Sequence, residues 1–371
     1  MKVLTITTQY ANNMGALLQC YALSEFLNSQ KDIDCKVIQY FPEGAEKSWV
    51  YFRKNNTFRE FLQNVYKFFR VDLYYVNCRK NRFMRKFIDK YIPLTSEVYN
   101  SRDEILNNPP FADAYIAGSD QIWNFKYRMD FTFFLEFATK FLDSKRIAYA
   151  PSVADPWTDA QCKRIQPILK NFHALSVREL ENVEQVRQLV NLEVFHVADP
   201  VFLLSRGCWD KILRKPAIKE PYIFCYFLSV SDLAVKAVEK LRKLTGYKVV
   251  HLNLNTLDKF HSDYNIRVSD PCDFIGYISQ ATFVCTNSFH CSAFSILYKR
   301  NFCFVPKHMA NSRVKGLQDV FQLGNVILSE DKVHDLQLGD LTIDYQNGER
   351  SGNEFIEKSK EFLLNSLYEG I

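Results

Sequence analysis

Five polar clusters, each placed directly after a predicted strand, carry the residue types that bind anions and sugars. Carboxamides, hydroxyls and carboxylates hydrogen-bond to sugar hydroxyls, whereas guanidinium, ammonium and imidazole groups bind phosphate and carboxylate. The carboxyl ends of parallel strands meet at one edge of a sheet, so we expect the clusters to face a single cleft. They comprise Asn12, Asn13 and Gly15; Ser119 to Asn124; Ser176, Arg178 and Glu179; Thr286 to His290; and Asn311, Ser312, Arg313 and Lys315.

The cluster in AYIAGSDQIWN ends a mostly apolar run abruptly. Asp120 and Asn124 are suited to exchange hydrogen bonds with sugar hydroxyls, and Trp123 is suited to stack on a pyranose ring. Asp120 is also a candidate base for an attacking hydroxyl. An Asp after a strand often caps a helix, however, and a Trp often belongs to the core. We predict that this segment, with Ser119 and Gln121, forms the lip of a sugar-binding cleft.

His290 lies in NSFHCSAFS, where a predicted strand turns into a helix. The first N–H groups of a helix are free to bind phosphate, and Asn287 and Ser288 would lie at that anion site. An imidazole that titrates near neutral pH can act as an acid or as a phosphate ligand. The alternative is a partly buried histidine whose hydrogen bonds are satisfied within the fold.

The composition of the chain is that of a globular protein and does not suit a secreted, membrane-spanning or metal-binding protein. The chain has 371 residues, 47% of them hydrophobic and 24% charged, which suits two domains of about 150 to 200 residues. The net charge of +5 suits an anionic substrate or surface without requiring nucleic acid. The ten cysteines contain no CxxC pair, so we expect free thiols in a reducing compartment. The N-terminus lacks a signal-peptide segment and no apolar run is long enough to span a membrane, so we predict a cytoplasmic protein. No carboxylate cluster is suited to hold a metal ion, and we predict that the protein uses neither a metal nor another cofactor.

Alternating strands and helices predict an α/β fold with two Rossmann-like domains. Strand-like runs such as KVLTITTQ and CKVIQY flank the helical stretch NNMGALLQCYALSEFLNSQ, and the same rhythm resumes with DAYIAG. A Pro-containing connector over 204–224 marks the domain boundary. We predict an N-terminal domain over 1–205, a C-terminal domain over 206–352, and a final helix over about 353–371 that joins the first domain.

The segment from about 49 to 92 interrupts the first domain with a basic and aromatic composition. Eleven Lys or Arg residues stand against three acidic residues, a balance of +8, and thirteen aromatic residues are interleaved with them. This pattern predicts two or three amphipathic helices. Three interpretations remain open: an insertion that packs its aromatic residues on the domain, a docking surface for an anionic bilayer or a lipid carrier, and RNA binding, for which no recognisable motif is present.

The motifs NNMGALLQCYAL, GSDQIWN, LSVRE, VADPVFLL and TNSFHCSAFSILYKRNF together resemble the polysaccharide pyruvyl transferase family. The resemblance runs from Met1 to about Gly324 and is broken by the basic segment. GSDQIWN and TNSFH are its most specific parts. The resemblance implies a GT-B-like arrangement with an interdomain cleft, and transfer of pyruvate from phosphoenolpyruvate to a sugar, usually as a cyclic ketal.

The resemblance also implies roles for individual residues. Phosphoenolpyruvate carries a phosphate and a carboxylate, which forked guanidinium groups bind well. Arg178 matches the family's interdomain arginine, and Arg313, or Lys315 in its place, matches a basic position in the second domain. We therefore expect Arg178 and His290 to meet on phosphoenolpyruvate, with Asp120 as a candidate base.

Two positions depart from the family pattern. Ala16 follows Gly15 where some members carry an Asp that is a candidate acid or base. Ser288 stands where some members carry an Arg two residues before the motif histidine. The first role is therefore empty or moved, and one phosphate contact is missing or supplied by Arg313 or Lys315.

We predict a pyruvyl transferase that adds a ketal to a hexose such as galactose, nucleotide-linked or lipid-linked, for a surface polysaccharide such as an exopolysaccharide or capsule. It would work in the cytoplasm, or peripherally at the inner face of the cell membrane through the basic segment, and would not bind nucleic acid. Two rival functions are a GT-B glycosyltransferase with a nucleotide-sugar donor and a non-catalytic sugar-binding relative, because a fold alone does not define chemistry.

Overall fold

The computed structural model describes residues 1–45, 49–52, 61–62, 64–65, 68–126, 129–253, 260–306 and 312–368, without the side chain of Ser312. Asn311 and the basic residues at 53, 54, 59 and 67 lie outside these ranges. The chain divides into two compact units. Unit 1 comprises Met1–Ala45, Asp89–Ser205 and Gly348–Ile371, and unit 2 comprises Glu46–Ile88 and Arg206–Asn347.

Unit 1 is built on a sheet of seven parallel strands. They are β1 (Lys2–Ile6), β2 (Asp34–Tyr40), β3 (Leu94–Tyr99), β4 (Ala114–Ala117), β5 (Lys145–Ala148), β6 (Ala174–Val177) and β7 (Val194–His196). They pair in the order β3-β2-β1-β4-β5-β6-β7. Every residue of β4 is buried, as expected for a central strand of a parallel sheet that is covered on both faces.

Unit 2 repeats this construction with five parallel strands. They are β8 (Tyr222–Tyr226), β9 (Lys248–Leu252), β10 (Tyr264–Ile266), β11 (Phe283–Thr286) and β12 (Asn301–Phe304). Their order is β10-β9-β8-β11-β12. All residues of β8 and β11 are buried, so the apolar runs YIFCY and FVCT form the centre of this sheet.

Helices alternate with the strands along the chain. They are α1 (Met14–Asn28), α2 (Val71–Tyr91), α3 (Arg102–Asn107), α4 (Asp159–Leu169), α5 (Leu180–Arg187), α6 (Arg206–Asp210), α7 (Asp232–Thr245), α8 (Pro271–Gln280), α9 (Phe289–Leu297), α10 (Ser312–Val320), α11 (Glu330–Asp335) and α12 (Glu349–Tyr368). Gly246 ends α7 with φ 68°, the left-handed cap that glycine supplies most easily. Of the described helices, none combines the length and the apolar character needed to cross a bilayer.

The final helix, α12, packs on the sheet of unit 1. Ser359 Oγ accepts a hydrogen bond from the backbone N–H of Ala198 at 2.9 Å. Lys145 Nζ donates to the carbonyl of Leu367 at 2.9 Å. The amphipathic pattern of this helix thus directs its buried side to the strands that precede unit 2 in the sequence.

The described residues of the basic segment up to Ile88 belong to unit 2 and those from Asp89 onward to unit 1, whereas the sequence analysis placed the whole segment in the first domain. Arg267 Nη1 lies 3.9 Å from Asp72 Oδ2 at the start of α2. Within the segment, Asn81 Nδ2 donates to the carbonyl of Trp49 at 2.5 Å. The position of a segment in the sequence therefore did not indicate which sheet it accompanies.

The strand order reverses at a comparable point in each sheet. In unit 1 the chain builds outward from β1 to β3 and then crosses to β4, so β1 and β4 flank the topological switch point. In unit 2 the flanking strands are β8 and β11. Doubly wound sheets bind ligands outside the carboxyl ends of the strands at such points. The loops after these four strands are therefore the places where each unit offers a ligand site.

Candidate functional site

In unit 1, threonine side chains after β1 join the GSD segment after β4. Thr7 Oγ1 donates to the carbonyl of Ser119 at 2.9 Å, and Thr8 Oγ1 donates to Asp120 Oδ2 at 2.9 Å. Asp120 has φ 67°, in the left-handed region that Asp and Asn adopt more readily than most residues. Its carboxylate is thereby held at the switch point of the sheet.

Asp120 belongs to a cluster of three carboxylates around one guanidinium. Arg178 Nη1 lies 2.7 Å from Asp199 Oδ2 and 4.0 Å from Asp120 Oδ1, and Arg178 Nε lies 3.3 Å from Glu179 Oε1. Ser152 Oγ donates to Glu179 Oε1 at 2.6 Å, and the backbone N–H two residues after Asp199 donates to its Oδ1 at 3.1 Å. The structure therefore brings together Asp120 and Arg178, two of the three predicted catalytic residues.

Burial decides which member of this cluster a ligand can reach. The side chains of Arg178, Glu179 and Asp199 are 3%, 1% and 0% exposed, whereas that of Asp120 is 16% exposed. Burial lowers the pKa of the Arg178 guanidinium, but the charges of the three carboxylates outweigh it and hold this pKa above its ordinary value. Asp120 is thus the member open to a ligand, and Arg178 is its buried, charged partner.

A cavity of about 190 Å³ opens at the same switch point. Polar side chains from the loops after β1, β2 and β4 line it, namely Thr8, Tyr10, Glu43, Gln121 and Asn124. Asn124 Nδ2 donates to Gln121 Oε1 at 2.8 Å, so the two carboxamides are oriented by each other. The predicted lip residues Gln121 and Asn124 therefore border a concave site whose wall combines polar and apolar side chains.

Trp123, in contrast, points into the core of unit 1. Its ring stacks on Phe134 with a centroid distance of 4.8 Å and an interplanar angle of 3°. Its Nε1 donates to the carbonyl of Phe133 at 3.0 Å, and its side chain has no exposed surface. This burial argues against the predicted stacking of Trp123 on a sugar, because neither ring face is open, and we leave the residue out of the proposed site.

Two predicted binding residues, Asn13 and Ser119, use their side-chain polar groups within the fold, and the third, Gly15, donates its backbone N–H to Asn13. Asn13 caps α1, since its Oδ1 accepts from the N–H groups of Gly15 at 2.9 Å and Ala16 at 3.3 Å. Ser119 Oγ donates to the carbonyl of Ala150 at 2.6 Å. These bonds shape the loops at the switch point, and ligand contacts by these residues stay a prediction. Ala16 is buried, so the position where some family members carry an acid offers none here.

In unit 2, Asn287 ties the loop after β11 to the loop after β8. Its Oδ1 accepts from the N–H of Leu228 at 2.8 Å, and its Nδ2 donates to the carbonyl of Ser229 at 2.8 Å. Both polar atoms of the side chain therefore hold the two loops at the switch point together, which gives Asn287 a structural reason to be in the motif.

Ser288 is the N-cap of α9. Its Oγ accepts from the N–H of Cys291 at 3.4 Å, while its own N–H donates to Thr286 Oγ1 at 3.0 Å. A serine is well suited to this capping position. The residue that departs from the family pattern thus has a capping role, and it brings no positive charge to the site.

His290 is the second residue of α9 and is buried, with its ring edge-on to Phe289 at a centroid distance of 5.2 Å. The N-terminal end of a helix favours negative charge nearby. Unit 2 thus places Asn287, Ser288 and His290 at its switch point.

The two predicted basic residues of unit 2, Arg313 and Lys315, lie in the first turn of α10, which packs against α9. Arg313 is half-buried and Lys315 is exposed.

Three cavity residues, Thr8, Tyr10 and Glu43, were not predicted from the sequence. Thr8 and Tyr10 follow β1, and Glu43 follows β2, so the rule that polar residues after strands face the ligand would have selected them. Asp199 also follows a strand, β7, but its pairing with Arg178 joins residues 21 positions apart and could not be inferred from its own segment.

Comparison with solved structures supports the fold. A proposed UDP-N-acetylglucosamine 2-epimerase from Listeria monocytogenes matches with a TM-score of 0.54 and 10% identity, covering 98% of this chain and 95% of that one. The UDP-GlcNAc 2-epimerase from Neisseria meningitidis, bound to UDP-GlcNAc, matches with a TM-score of 0.52 and 10% identity over 100% of both chains. At such low identity the likeness shows the fold alone, and it confirms the predicted GT-B-like α/β fold.

Comparison of sequences identifies the family. A search of curated proteins gives no match. The sequence profile described as polysaccharide pyruvyl transferase matches residues 13–306, which cover most of the chain and include the switch-point motifs of both units. The chain therefore belongs to the polysaccharide pyruvyl transferase family.

Proposed function

We propose that the protein transfers the pyruvyl group of phosphoenolpyruvate to two hydroxyls of a sugar, as a ketal, during the biosynthesis of a surface polysaccharide. The observation that supports this most is that each sheet carries its motif residues at the topological switch point, where folds of this kind bind ligands. The acceptor we propose is a hexose such as galactose on a nucleotide or lipid carrier, modified in the cytoplasm.

The reaction sets the groups that the protein has to supply. Two C–O bonds form between the sugar and the central carbon of phosphoenolpyruvate, and the bond from that carbon to the phosphate oxygen breaks. One hydroxyl proton ends on the enol methylene, which becomes a methyl group, and the other ends on the released phosphate. The protein therefore has to bind an anionic donor, protonate a carbon and accept hydroxyl protons.

For the donor, we assign the junction between β11 and α9. His290 would protonate the methylene or bind the departing phosphate, and the N-terminal end of α9 would favour the negative charge. Arg313 and Lys315, on the neighbouring α10, would supply the cations that Ser288 does not. Asn287 would act by holding the two loops in register.

For the acceptor, we assign the cavity of unit 1. Gln121 and Asn124, which line the cavity, would bind ring hydroxyls. Asp120, which accepts a hydrogen bond from the cavity residue Thr8 and is the least buried member of its cluster, would accept a hydroxyl proton. The volume of about 190 Å³ is below the roughly 300–1,000 Å³ of pockets that enclose drug-sized ligands, which suits a single sugar ring.

For Arg178, we propose a positioning role in place of the donor contact implied by the family resemblance. Its guanidinium already faces three carboxylates. An incoming phosphate or carboxylate would have to displace one of them from a buried site, which is costly. Arg178 would instead fix the orientation of Asp120.

The test combines product analysis with two variants. The purified protein is incubated with phosphoenolpyruvate and a panel of nucleotide-linked and lipid-linked hexoses, and the ketal is detected by mass spectrometry together with phosphate release. We expect His290→Asn and Asp120→Asn each to lower kcat by about 10²–10⁴-fold, the usual contribution of a general acid or base. His334→Asn, at an exposed histidine of unit 2, is the matched control and should retain full activity.

The same assay separates the two rival functions. Turnover of a uridine diphosphate sugar without phosphoenolpyruvate would identify a glycosyltransferase and overturn the proposal. Binding of phosphoenolpyruvate or a sugar without any product, across the whole panel, would identify a non-catalytic relative. Full activity in both variants would leave the reaction in place but remove these residues from it.

A further inference from the structure

One exposed surface, formed by α2 and the residues just before it, combines aromatic and basic side chains. We call it the α2 surface; its apolar end is Phe68, Phe69, Val71 and Tyr75, and its basic end is Arg79, Arg82 and Lys86. Phe69, Phe68 and Tyr75, at 76%, 70% and 63%, are the most exposed aromatic residues of the described chain. Such contiguous exposed apolar groups usually mark an interaction site.

The α2 surface is held outward because the opposite side of the helix is packed. Leu73, Met84 and Phe87 are buried and recur at helical spacing on that opposite side. Arg85 lies with its guanidinium carbon 5.4 Å from the ring centre of Trp49, which further anchors the helix. The exposure of the aromatic residues is therefore a consequence of how α2 is seated.

The charge of this helix is strongly positive. From Arg70 to Lys90 there are seven basic and two acidic residues, a difference of five, which equals the formal net charge of +5 for the whole chain. Arg70 binds Asp72 through two hydrogen bonds of 2.8 and 2.7 Å, which offsets one of the acids.

The basic end of the surface keeps its charge available. Among the described residues, no carboxylate pairs with Arg79, Arg82 or Lys86. These three residues, with Tyr75 and Phe83, border an open groove of about 560 Å³ along the helix. A ligand at this surface would therefore meet aromatic side chains and uncompensated positive charge together.

We propose that the α2 surface docks the protein on an anionic lipid bilayer. Phe68, Phe69 and Val71 would enter the boundary between headgroups and acyl chains, and the basic end would contact anionic headgroups, the division of labour of interfacial helices. Each Lys or Arg near an anionic membrane strengthens binding by about fivefold. This docking goes beyond the proposed function and does not depend on it.

The first test measures binding of the full chain to vesicles by co-sedimentation. We expect binding to phosphatidylcholine vesicles that contain phosphatidylglycerol, weaker binding at high salt, and little binding to phosphatidylcholine alone. The triple variant Arg79→Glu, Arg82→Glu, Lys86→Glu should bind at least about 100-fold more weakly, from about fivefold per basic residue removed. Its matched control reverses three exposed lysines elsewhere, at Lys163, Lys170 and Lys211, changes the net charge equally, and should bind like the wild type.

The apolar end is tested separately. Phe68→Ser with Phe69→Ser should weaken binding to the anionic vesicles while leaving its salt dependence, because the charges are unchanged. Transfer activity on a soluble acceptor should be unaffected by every variant of the α2 surface, so a failure of docking is distinguishable from a failure of the proposed reaction.

Several results would overturn the proposal. The wild type failing to sediment with anionic vesicles at low salt would remove it. Equal weakening by the two triple variants would show that net charge, rather than this surface, attracts the membrane. Retention of an RNA probe by the α2 surface, with no vesicle binding, would assign the surface to RNA instead.

Discussion

Arg178 lies among three carboxylates at the switch point of unit 1, and its charge balances theirs. The guanidinium is buried and contacts Asp199 at 2.7 Å and Glu179 at 3.3 Å, with Asp120 at 4.0 Å. Three buried or half-buried negative charges would repel one another without this cation, and water cannot compensate them at such burial. The residue therefore contributes to the stability of unit 1 as well as to the orientation of Asp120.

We expect Arg178→Met, which keeps much of the volume but removes the charge, to lower the free energy of unfolding by about 3–5 kcal/mol, the usual cost of removing one partner of a buried ion pair. Denaturant titration followed by circular dichroism measures this change. The matched control is Arg187→Met, because Arg187 pairs with Glu184 at 3.0 Å with both side chains at least half exposed; its cost should stay below about 1 kcal/mol.

Equal losses in these two variants would contradict the assignment of Arg178 to a buried carboxylate cluster. The expected loss of stability also affects how transfer activity in Arg178 variants is interpreted, because an unfolded protein is inactive for any reason. Activity should therefore be compared where the variant is as fully folded as the wild type. Arg178→Lys is the better variant for kinetics, because it retains a positive charge beside the carboxylates.

At the scale of elements, the turn that follows β4 depends on a glycine. Gly118 has φ 137°, which residues with a side chain rarely adopt, and a Cβ placed there would lie 1.9 Å from the carbonyl oxygen of Tyr149. That carbonyl belongs to the backbone following β5, the neighbouring strand, so it cannot swing aside as a side chain would. The glycine of GSDQIWN is thus required for the close approach that brings Asp120 to the switch point.

We expect Gly118→Ala to destabilise the protein by about 3 kcal/mol or more, since backbone strain and overpacking act together. The control is Gly316→Ala inside α10, where a Cβ meets no atom within 4 Å; this change should be neutral or stabilise by up to about 1 kcal/mol. Thermal unfolding of the two variants distinguishes them, and a Gly118→Ala protein that melts like the wild type would show that this turn is not rigid.

Central strands are easier to recognise in this sequence than the two edge strands β3 and β10, for which the sequence analysis predicted no strand. Central strands are buried on both faces, so β4 and β8 appear in the sequence as uninterrupted apolar runs. β3 has three consecutive exposed residues and β10 is three residues long, and each lies at the edge of its sheet. Their conformation depends on pairing with a neighbour distant in sequence, which local residue patterns do not encode.

The candidate site shows the same division between local and distant information. Asp120 and His290 were selected as candidates because each follows a strand within a polar cluster, and that property is local. The burial of Trp123 depends on Trp157, whose ring centre lies 5.9 Å away, and on Phe134. Whether an aromatic residue at a strand end faces a ligand or the core is therefore decided by tertiary packing that its own segment does not reveal.

At the scale of the whole molecule, stability should depend on pH through two half-buried histidines of unit 1. The pKa of His173 is lowered by burial first and then by the charges of Arg146 and Lys145. Its Nδ1 accepts a hydrogen bond from the backbone N–H of Arg146 at 3.0 Å, which requires the neutral ring. Burial likewise lowers the pKa of His196. In the unfolded chain both rings regain the ordinary value of about 6.5.

The sign of the effect follows from proton binding. Between the ordinary pKa and the lowered one, the unfolded state binds more protons than the folded state, so the free energy of unfolding falls as the pH drops below about 6.5. We expect the unfolding midpoint of the wild type to decrease from pH 7.5 to pH 5.5. His173→Asn should flatten part of this decrease, because the amide oxygen can accept the same hydrogen bond from Arg146 without titrating. At pH 8, where the wild-type ring is neutral, the two proteins should melt alike, and parallel curves over the whole pH range would show that His173 does not contribute.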